Sequence, residues 1–278
     1  MRTLTLKLPH TLWAALELQH RETGEPIPHI VRAALADHLQ TEHQTLFQVS
    51  TSTALVQGIS RGAVTVGHLK EHGDFGLGTF EGTDGEMILL DGHVYQVRAD
   101  GSCHEVTDAT PSPFAVVTHF RADRGLDLDA CRDVDALTAQ IDALRDSPNV
   151  FYAVRVEGHF TTLYTRAMCK TDEGVPLIVA AAHQPEFHLR EVAATLVGFW
   201  SPQYSRTIGI PGYHLHALTA ARDSGGHVLG CAGRRLRIEI QTLADLRVAL
   251  PSTEGFLRAD LSGDPSADLD KAEHAPRR

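Results

Sequence analysis

The chain has 278 residues, of which 42% are hydrophobic, and it carries a formal net charge of -10 at pH 7. This length and composition allow one large core or two smaller ones, while the acidic excess argues against a protein that coats nucleic acid or an anionic membrane. Four scattered cysteines without a Cys-x-x-Cys pair, and apolar runs too short for a signal peptide or a bilayer span, predict a soluble cytoplasmic protein without a disulfide framework.

The first 44 residues have the pattern of a separate small module. Apolar and polar residues alternate over residues 4–8, which is typical of a short strand with one apolar face. Pro9 and Gly24 are placed to begin and end a first helix, and a second helix is predicted after Pro26.

This strand, helix and helix resemble the ribbon-helix-helix DNA-binding module over residues 1–42. The resemblance rests on three segments, Leu4–Pro9, Thr23–Glu25 and Ile30–Leu35. It implies that the strand pairs with the same strand of a partner chain, and that the polar side chains of the ribbon face the bases of DNA, namely Thr3, Thr5 and Lys7.

The charge of this module leaves its role open. Residues 1–42 hold four basic and five acidic side chains, so few side chains could contact the phosphates of DNA. A lone strand cannot satisfy its backbone groups or bury its leucines, and a two-helix unit has little core, which predicts a homodimer joined through this module. Dimerisation alone, a vestigial module and DNA binding all remain open.

Residues 45–278 predict a mixed-sheet α+β fold, with two sub-domains that divide near residue 150. Short β-rich segments broken by glycines dominate, and one amphipathic helix is predicted over residues 133–146. Predicted strands include Val64–Val66, Met87–Leu90, His93–Val97, Ala115–Thr118, Phe151–Glu157, Phe160–Thr165, Glu186–Leu189 and Ala194–Phe199. The last sixteen residues are acidic and polar, and their composition predicts a frayed tail.

Three histidines near the C-terminal end carry the strongest chemical signal. His214 and His216 are two residues apart, which on a strand places both side chains on the same face. The segment Asp223–Gly226 is rich in turn-forming residues and brings His227 back alongside. Three imidazoles without a nearby cysteine are the ligand set of a catalytic zinc or similar metal with an open coordination position.

The region from Phe47 to the C-terminus resembles the acetolactate decarboxylase family. Ordered motifs over about 230 residues carry the resemblance. They are Phe47–Thr51, His72–Phe80, Asp84–Ile88, Leu90–Gly92, Pro113–Ala115, Gly158–Phe160 with Arg166, Leu196–Phe199, Gly212–His216 and Gly225–Leu229.

The resemblance implies a metal-dependent carboxy-lyase without an organic cofactor. Such an enzyme converts a small 2-hydroxy-3-oxo acid, 2-acetolactate, to (R)-acetoin and carbon dioxide through a metal-stabilised enediolate. It implies that zinc or another divalent transition metal is held by His214, His216 and His227. The other implied site residues are Glu86, Arg166, Thr79 and Glu273.

The chemistry of these side chains agrees with such a reaction. The planar guanidinium of Arg166 fits a carboxylate by two parallel hydrogen bonds, and the carboxyl group of Glu86 can protonate the carbon that loses carbon dioxide. Two other functions are open. One is a metabolite-sensing transcriptional regulator, and the other is a metal hydrolase with Glu86 as base, which the absence of a His-Glu-x-x-His motif weakens.

Overall fold

The computed structural model describes residues 4–39 and 44–273, the last of them by its main chain alone. The chain divides into two compact units, Met1–His43 and Gln44–Arg278. No helix among the described residues is long and apolar enough to cross a membrane.

The N-terminal unit contains the two predicted helices. Helix α1 spans His10–Thr23 and ends at Gly24, whose left-handed backbone (φ 75°) lets its N–H bond the carbonyl of His20. Helix α2 spans Ile27–Leu39. The predicted strand is not formed within the single chain, where residues 4–9 have no regular structure, because a strand needs a partner for its backbone groups.

The second unit is built on two large sheets, which confirms the predicted α+β class. The first sheet has seven strands in the order β14-β1-β8-β3-β4-β5-β6. In chain order these are β1 Thr45–Val49, β3 Phe75–Thr79, β4 Glu86–Leu90, β5 His93–Val97, β6 Cys103–Glu105, β8 Phe114–Thr118 and β14 Asp245–Ala249. Strands β2 (Val64–Thr65) and β7 (Pro111–Ser112) form a separate small pair.

The second sheet has five longer strands in the order β10-β11-β12-β13-β9. They are β9 Arg124–Cys131, β10 Phe151–Arg166, β11 Glu186–Ser201, β12 Gly212–Thr219 and β13 Gly225–Leu243. Strand β10 also pairs with β13, so four strands close into a ring. The chain changes from the first sheet to the second between residues 118 and 124, and a sub-domain division near residue 150 stays a prediction.

Six α-helices among the described residues of this unit cover parts of the sheets. They are α3 Ser52–Val56, α4 Val66–Lys70, α5 Val134–Leu144, α6 Leu177–Ala181, α7 Glu254–Arg258 and α8 Ser266–Glu273. Helix α5 matches the predicted amphipathic helix, and the Asp133 side chain caps it by accepting from the Ala136 N–H at 2.7 Å. Helices α3, α6 and α8 pack together over the core that contains Leu55, Leu177 and Leu269.

The structure corrects three local predictions. Val66 begins α4 rather than ending a strand, because the Thr65 hydroxyl accepts from the His68 N–H and caps a helix there. The four strands predicted over residues 151–165 and 186–199 are two long strands, β10 and β11. The predicted frayed tail contains α8, since Leu269 and Ala272 lie three residues apart on one helical face and are each 2% exposed.

Candidate metal centre and active site

Strands β12 and β13 bring the three predicted histidines together. His214 and His216 lie on β12, and His216 stands directly opposite His227 of β13 in the antiparallel register. The connecting turn is Ala220–Ser224, while both glycines that follow belong to β13. A Cβ atom at Gly225 would lie 2.1 Å from the carbonyl oxygen of Ala217, so only glycine permits this approach of the two strands.

The three imidazoles form one buried cluster. His214, His216 and His227 are 9%, 1% and 6% exposed, and their ring centroids lie 4.9 to 5.5 Å apart. The Nε2 atoms of His214 and His216 are 3.1 Å apart. Two ligands of a tetrahedral zinc at 2.0–2.1 Å would be separated by about 3.3 Å, so this spacing fits a shared metal.

A main-chain contact fixes the orientation of His216. Its Nδ1 donates to the carbonyl oxygen of Met87 at 2.8 Å, which leaves the lone pair on Nε2 within the cluster. Burial lowers the pKa of His216 well below the usual value, and His214 and Arg166 lower it further against the opposing effect of the Met87 contact. His216 is therefore a neutral imidazole, the form that binds metals.

Glu86 lies beside this cluster at the start of β4. It is 5% exposed, and its Oε2 is 3.3 Å from His216 Nε2. The main-chain N–H of Met168 donates to Oε1 at 3.0 Å and holds the other end of the carboxylate. A buried carboxyl group in this position can exchange a proton with a ligand in the cleft.

Arg166 and Thr79 line the same cleft, which measures about 460 Å³ including its open mouth. Arg166 ends β10 opposite His227, is half-buried, and donates from Nη2 to the carbonyl oxygen of Ala272 in α8. Thr79 pairs with Glu86 across strands β3 and β4, and its hydroxyl donates to the carbonyl of Gly85 at 2.7 Å.

The predicted site residue Glu273 is the last residue of α8, and its side chain lies outside the described part of the structure. Its neighbour Ala272 lines the cleft. Sequence reasoning missed the supporting contacts of Met87 and Met168, because their main-chain atoms make these contacts and any residue type could supply them. It also missed Leu177 and Gln184, which line the cleft without belonging to a recognisable motif.

A second group of metal-ligating side chains, His68, Glu71 and His72, lies on and just after α4. His68 Nδ1 is 3.0 Å from Glu71 Oε2, and the His72 ring stacks on Phe47 with centroids 3.9 Å apart. These residues are partly exposed and do not line the cleft. They offer a control group for metal binding at the buried cluster.

An α+β fold with three buried imidazoles, a carboxyl group and a guanidinium along one cleft defines a class of proteins that can hold a catalytic metal. Residues 46–263 match the alpha-acetolactate decarboxylase family, and the chain belongs to this family. The match confirms the resemblance read from the ordered motifs.

Relatives and a solved structure agree with the family match. The alpha-acetolactate decarboxylase of Methanosarcina mazei is 38% identical over 229 residues, which cover 82% of this chain and 80% of that protein. The Bacillus licheniformis enzyme of the same name is 35% identical over 83% of this chain and 92% of its own length. The crystal structure of alpha-acetolactate decarboxylase from Bacillus subtilis superposes with a TM-score of 0.81 at 34% identity, covering 83% of this chain and all of that one.

Proposed function

We propose that this chain is a carboxy-lyase that converts 2-acetolactate to acetoin and carbon dioxide. The observation that carries the proposal is the buried cluster of His214, His216 and His227 in the cleft that Glu86 and Arg166 also line. The names of the similar proteins from M. mazei and B. licheniformis support this substrate. The reaction removes a carboxyl group, so the site must bind an anion, accept electron density and return a proton.

The three imidazoles are the residues that would hold a metal, and zinc is the metal we propose for them. Their neutral nitrogen donors and the 3.1 Å separation between the Nε2 atoms of His214 and His216 suit a tetrahedral ion with one open position. When bound, a divalent metal supplies a Lewis acid for the ketone and hydroxyl oxygens of the substrate. Three neutral ligands leave its positive charge uncompensated, which favours an anionic substrate.

Arg166 binds and orients the carboxylate of the substrate. Its guanidinium lines the cleft next to the cluster and offers two parallel N–H groups to a carboxylate. Breakage of the bond between the carboxylate carbon and C2 releases carbon dioxide and leaves an electron pair on C2. The neighbouring ketone delocalises this pair, which lowers the barrier.

Glu86 returns a proton to C2. Because Met168 holds Oε1 and the His216 ring lies against Oε2, the carboxyl group has a fixed position and reaches C2 from one face only. Protonation from one face gives a single enantiomer, which we propose is (R)-acetoin. Thr79 positions the turn before Glu86 through its bond to Gly85, and Glu273 is proposed as a further site residue at the end of α8.

The N-terminal unit serves to join two copies of the chain. Among the described residues of this unit, only Leu16 and Ile30 are buried in the helices, whereas Leu4, Leu6 and several helix residues are exposed. The exposed apolar side chains of the helices are Leu12, Trp13, Leu18, Leu35 and Leu39. A second copy of the whole unit would pair the strand and cover these side chains, as in the ribbon-helix-helix arrangement.

Acetoin formation from racemic 2-acetolactate tests the proposed reaction. Purified protein should form acetoin and carbon dioxide, and prior removal of metal with a chelator should abolish the reaction until zinc is restored. Glu86→Gln keeps the bond to Met168 but lacks the acidic proton, so kcat should fall by about 10²–10⁴. Exposed Glu254→Gln is the matched control. Wild-type protein that forms no acetoin would contradict the proposal.

A further inference from the structure

Gln184 lines the cleft and has a buried polar atom without a hydrogen-bond partner among the described residues. It lies between α6 and β11, lines the cleft, and brings its Nε2 to 2.5 Å from the sulfur of Met168. Its Oε1 is buried and has no hydrogen-bond partner among the residues that the structure describes. A buried acceptor without a donor destabilises the folded chain, so this oxygen requires an explanation.

The oxygen is the end of the amide that cannot be satisfied by its neighbour. A thioether sulfur is a weak acceptor and has no hydrogen to donate, so the amide nitrogen is the end that gains by facing Met168. Oε1 can therefore accept a hydrogen bond from a bound ligand. The next residue of the chain, Pro185, has no N–H to offer.

Gln184 also contacts the residue that holds the proposed proton donor. The main-chain N–H of Met168 donates to Glu86 Oε1 at 3.0 Å, while its side chain meets the Gln184 amide. Met168 thus contacts both the Gln184 amide and the Glu86 carboxyl group, and all three residues line the same cleft as Arg166 and the three histidines.

We propose that Gln184 binds the substrate, with Oε1 accepting a hydrogen bond from the substrate hydroxyl group; the inference rests on the proposed function. At neutral pH 2-acetolactate has a single hydrogen-bond donor, its tertiary hydroxyl, because the ketone and the carboxylate only accept. An unpaired acceptor on a residue that lines the cleft matches that donor, as the guanidinium of Arg166 matches the carboxylate. Gln184 would then select 2-hydroxy acids over acids that lack the hydroxyl.

The test compares the binding of two unreactive acids by calorimetry. 2-Hydroxy-2-methylpropanoate has the tertiary hydroxyl and the carboxylate, and 2,2-dimethylpropanoate has a methyl in place of the hydroxyl. Gln184→Met keeps the length of the side chain and removes the acceptor, so the Kd of the hydroxy acid should rise roughly tenfold while that of the dimethyl acid changes little. In turnover, KM for 2-acetolactate should rise more than kcat falls.

Gln241→Met is the matched control. The Oε1 of Gln241 is also buried without a partner in the described part of the chain, but its Nε2 donates to the His119 carbonyl and the residue does not line the cleft. This variant should leave both Kd values unchanged. Gln184→Glu keeps an acceptor and adds a negative charge that weakens the binding of both anions alike. This variant should therefore still bind the hydroxy acid more tightly than the dimethyl acid.

An unchanged Kd for the hydroxy acid in Gln184→Met, or an equal rise for both acids, would overturn the assignment. Metal content and melting temperature of each variant show whether the fold is intact, and Gln184→Leu, which also lacks the acceptor, takes the place of the methionine variant if that variant does not fold. The acids bind without reacting. Failure of wild-type protein to form acetoin would therefore refute the proposed function and leave the titrations as a separate test of Gln184.

Discussion

Arg166 donates a hydrogen bond from its guanidinium to the main-chain carbonyl oxygen of Ala272. The bond joins the end of β10, beside the histidine cluster, to the last turn of α8. Leu269 and Ala272 are each 2% exposed, which anchors the helix on the core around Leu55 and Leu177. The C-terminal helix therefore closes one side of the cleft and holds the guanidinium in place.

Removal of α8 should impair substrate binding without loss of metal. A chain that ends after Gly263 lacks the Ala272 carbonyl, so Arg166 loses its orientation and KM for 2-acetolactate should rise by about tenfold or more. The histidines lie on β12 and β13, so metal content should persist. A chain that ends after Glu273 is the control and keeps the Arg166 bond. Unaltered kcat/KM in the shorter chain would contradict the role of α8.

Arg166→Lys should retain charge and lose the planar pair of donors. Because a carboxylate prefers the parallel N–H groups of a guanidinium, kcat/KM should fall about 10–100-fold while the metal stays bound. Arg121→Lys, at an exposed ion pair with Asp74, should behave as wild type. Steady-state kinetics and metal analysis of both variants measure this, and a fully active Arg166→Lys would show that the guanidinium does not bind the carboxylate.

The metal-free protein should lose stability in acid through His216. Its pKa in the folded state lies well below 6.5, so below that pH the unfolded chain binds a proton that the folded chain does not. Stability therefore falls as pH decreases from about 6.5, by up to about 1.4 kcal/mol per pH unit for this group. Urea unfolding with a chelator at pH 7.5 and 5.5 should show a steeper loss for wild type than for His216→Gln. Equal losses would contradict the buried neutral imidazole.

Deletion of residues 1–43 should loosen assembly and spare catalysis. The exposed leucines of this unit lose their partner surface, while none of the proposed site residues lies in it. Sedimentation should give a dimer or a higher even oligomer for the full chain and a smaller species for the truncated one. Four basic against five acidic residues in this unit predict at best weak, steeply salt-sensitive DNA binding. A monomeric full-length chain would refute the pairing of the N-terminal strands of two chains.

Different parts of the site were predictable from sequence to different degrees. The spacing of His214, His216 and His227 predicts the metal cluster, because strand periodicity and a turn determine which side chains meet. Glu86 and Arg166 became candidates only through the family resemblance, since an acid after a turn and an arginine at a strand end are common on surfaces.

Other features carried too weak a sequence signal. The contacts of Met87 and Met168 use main-chain atoms, which have no residue signature. The acidic composition of α8 led to the prediction of a frayed tail, although Leu269 and Ala272 pack the helix against the core. Strand β10 was divided in the prediction because Gly158 resembles a strand end, whereas in the structure the strand continues through a register shift at this residue.

Metal content of two histidine variants is the most direct measurement of the central claim. Wild type and His68→Ala should each contain about one metal ion per chain, because the exposed group at α4 does not contribute to the buried site. His216→Ala removes the ligand that Met87 orients and should contain close to none. Full metal content in His216→Ala, or loss of the metal in His68→Ala, would contradict the three-histidine site.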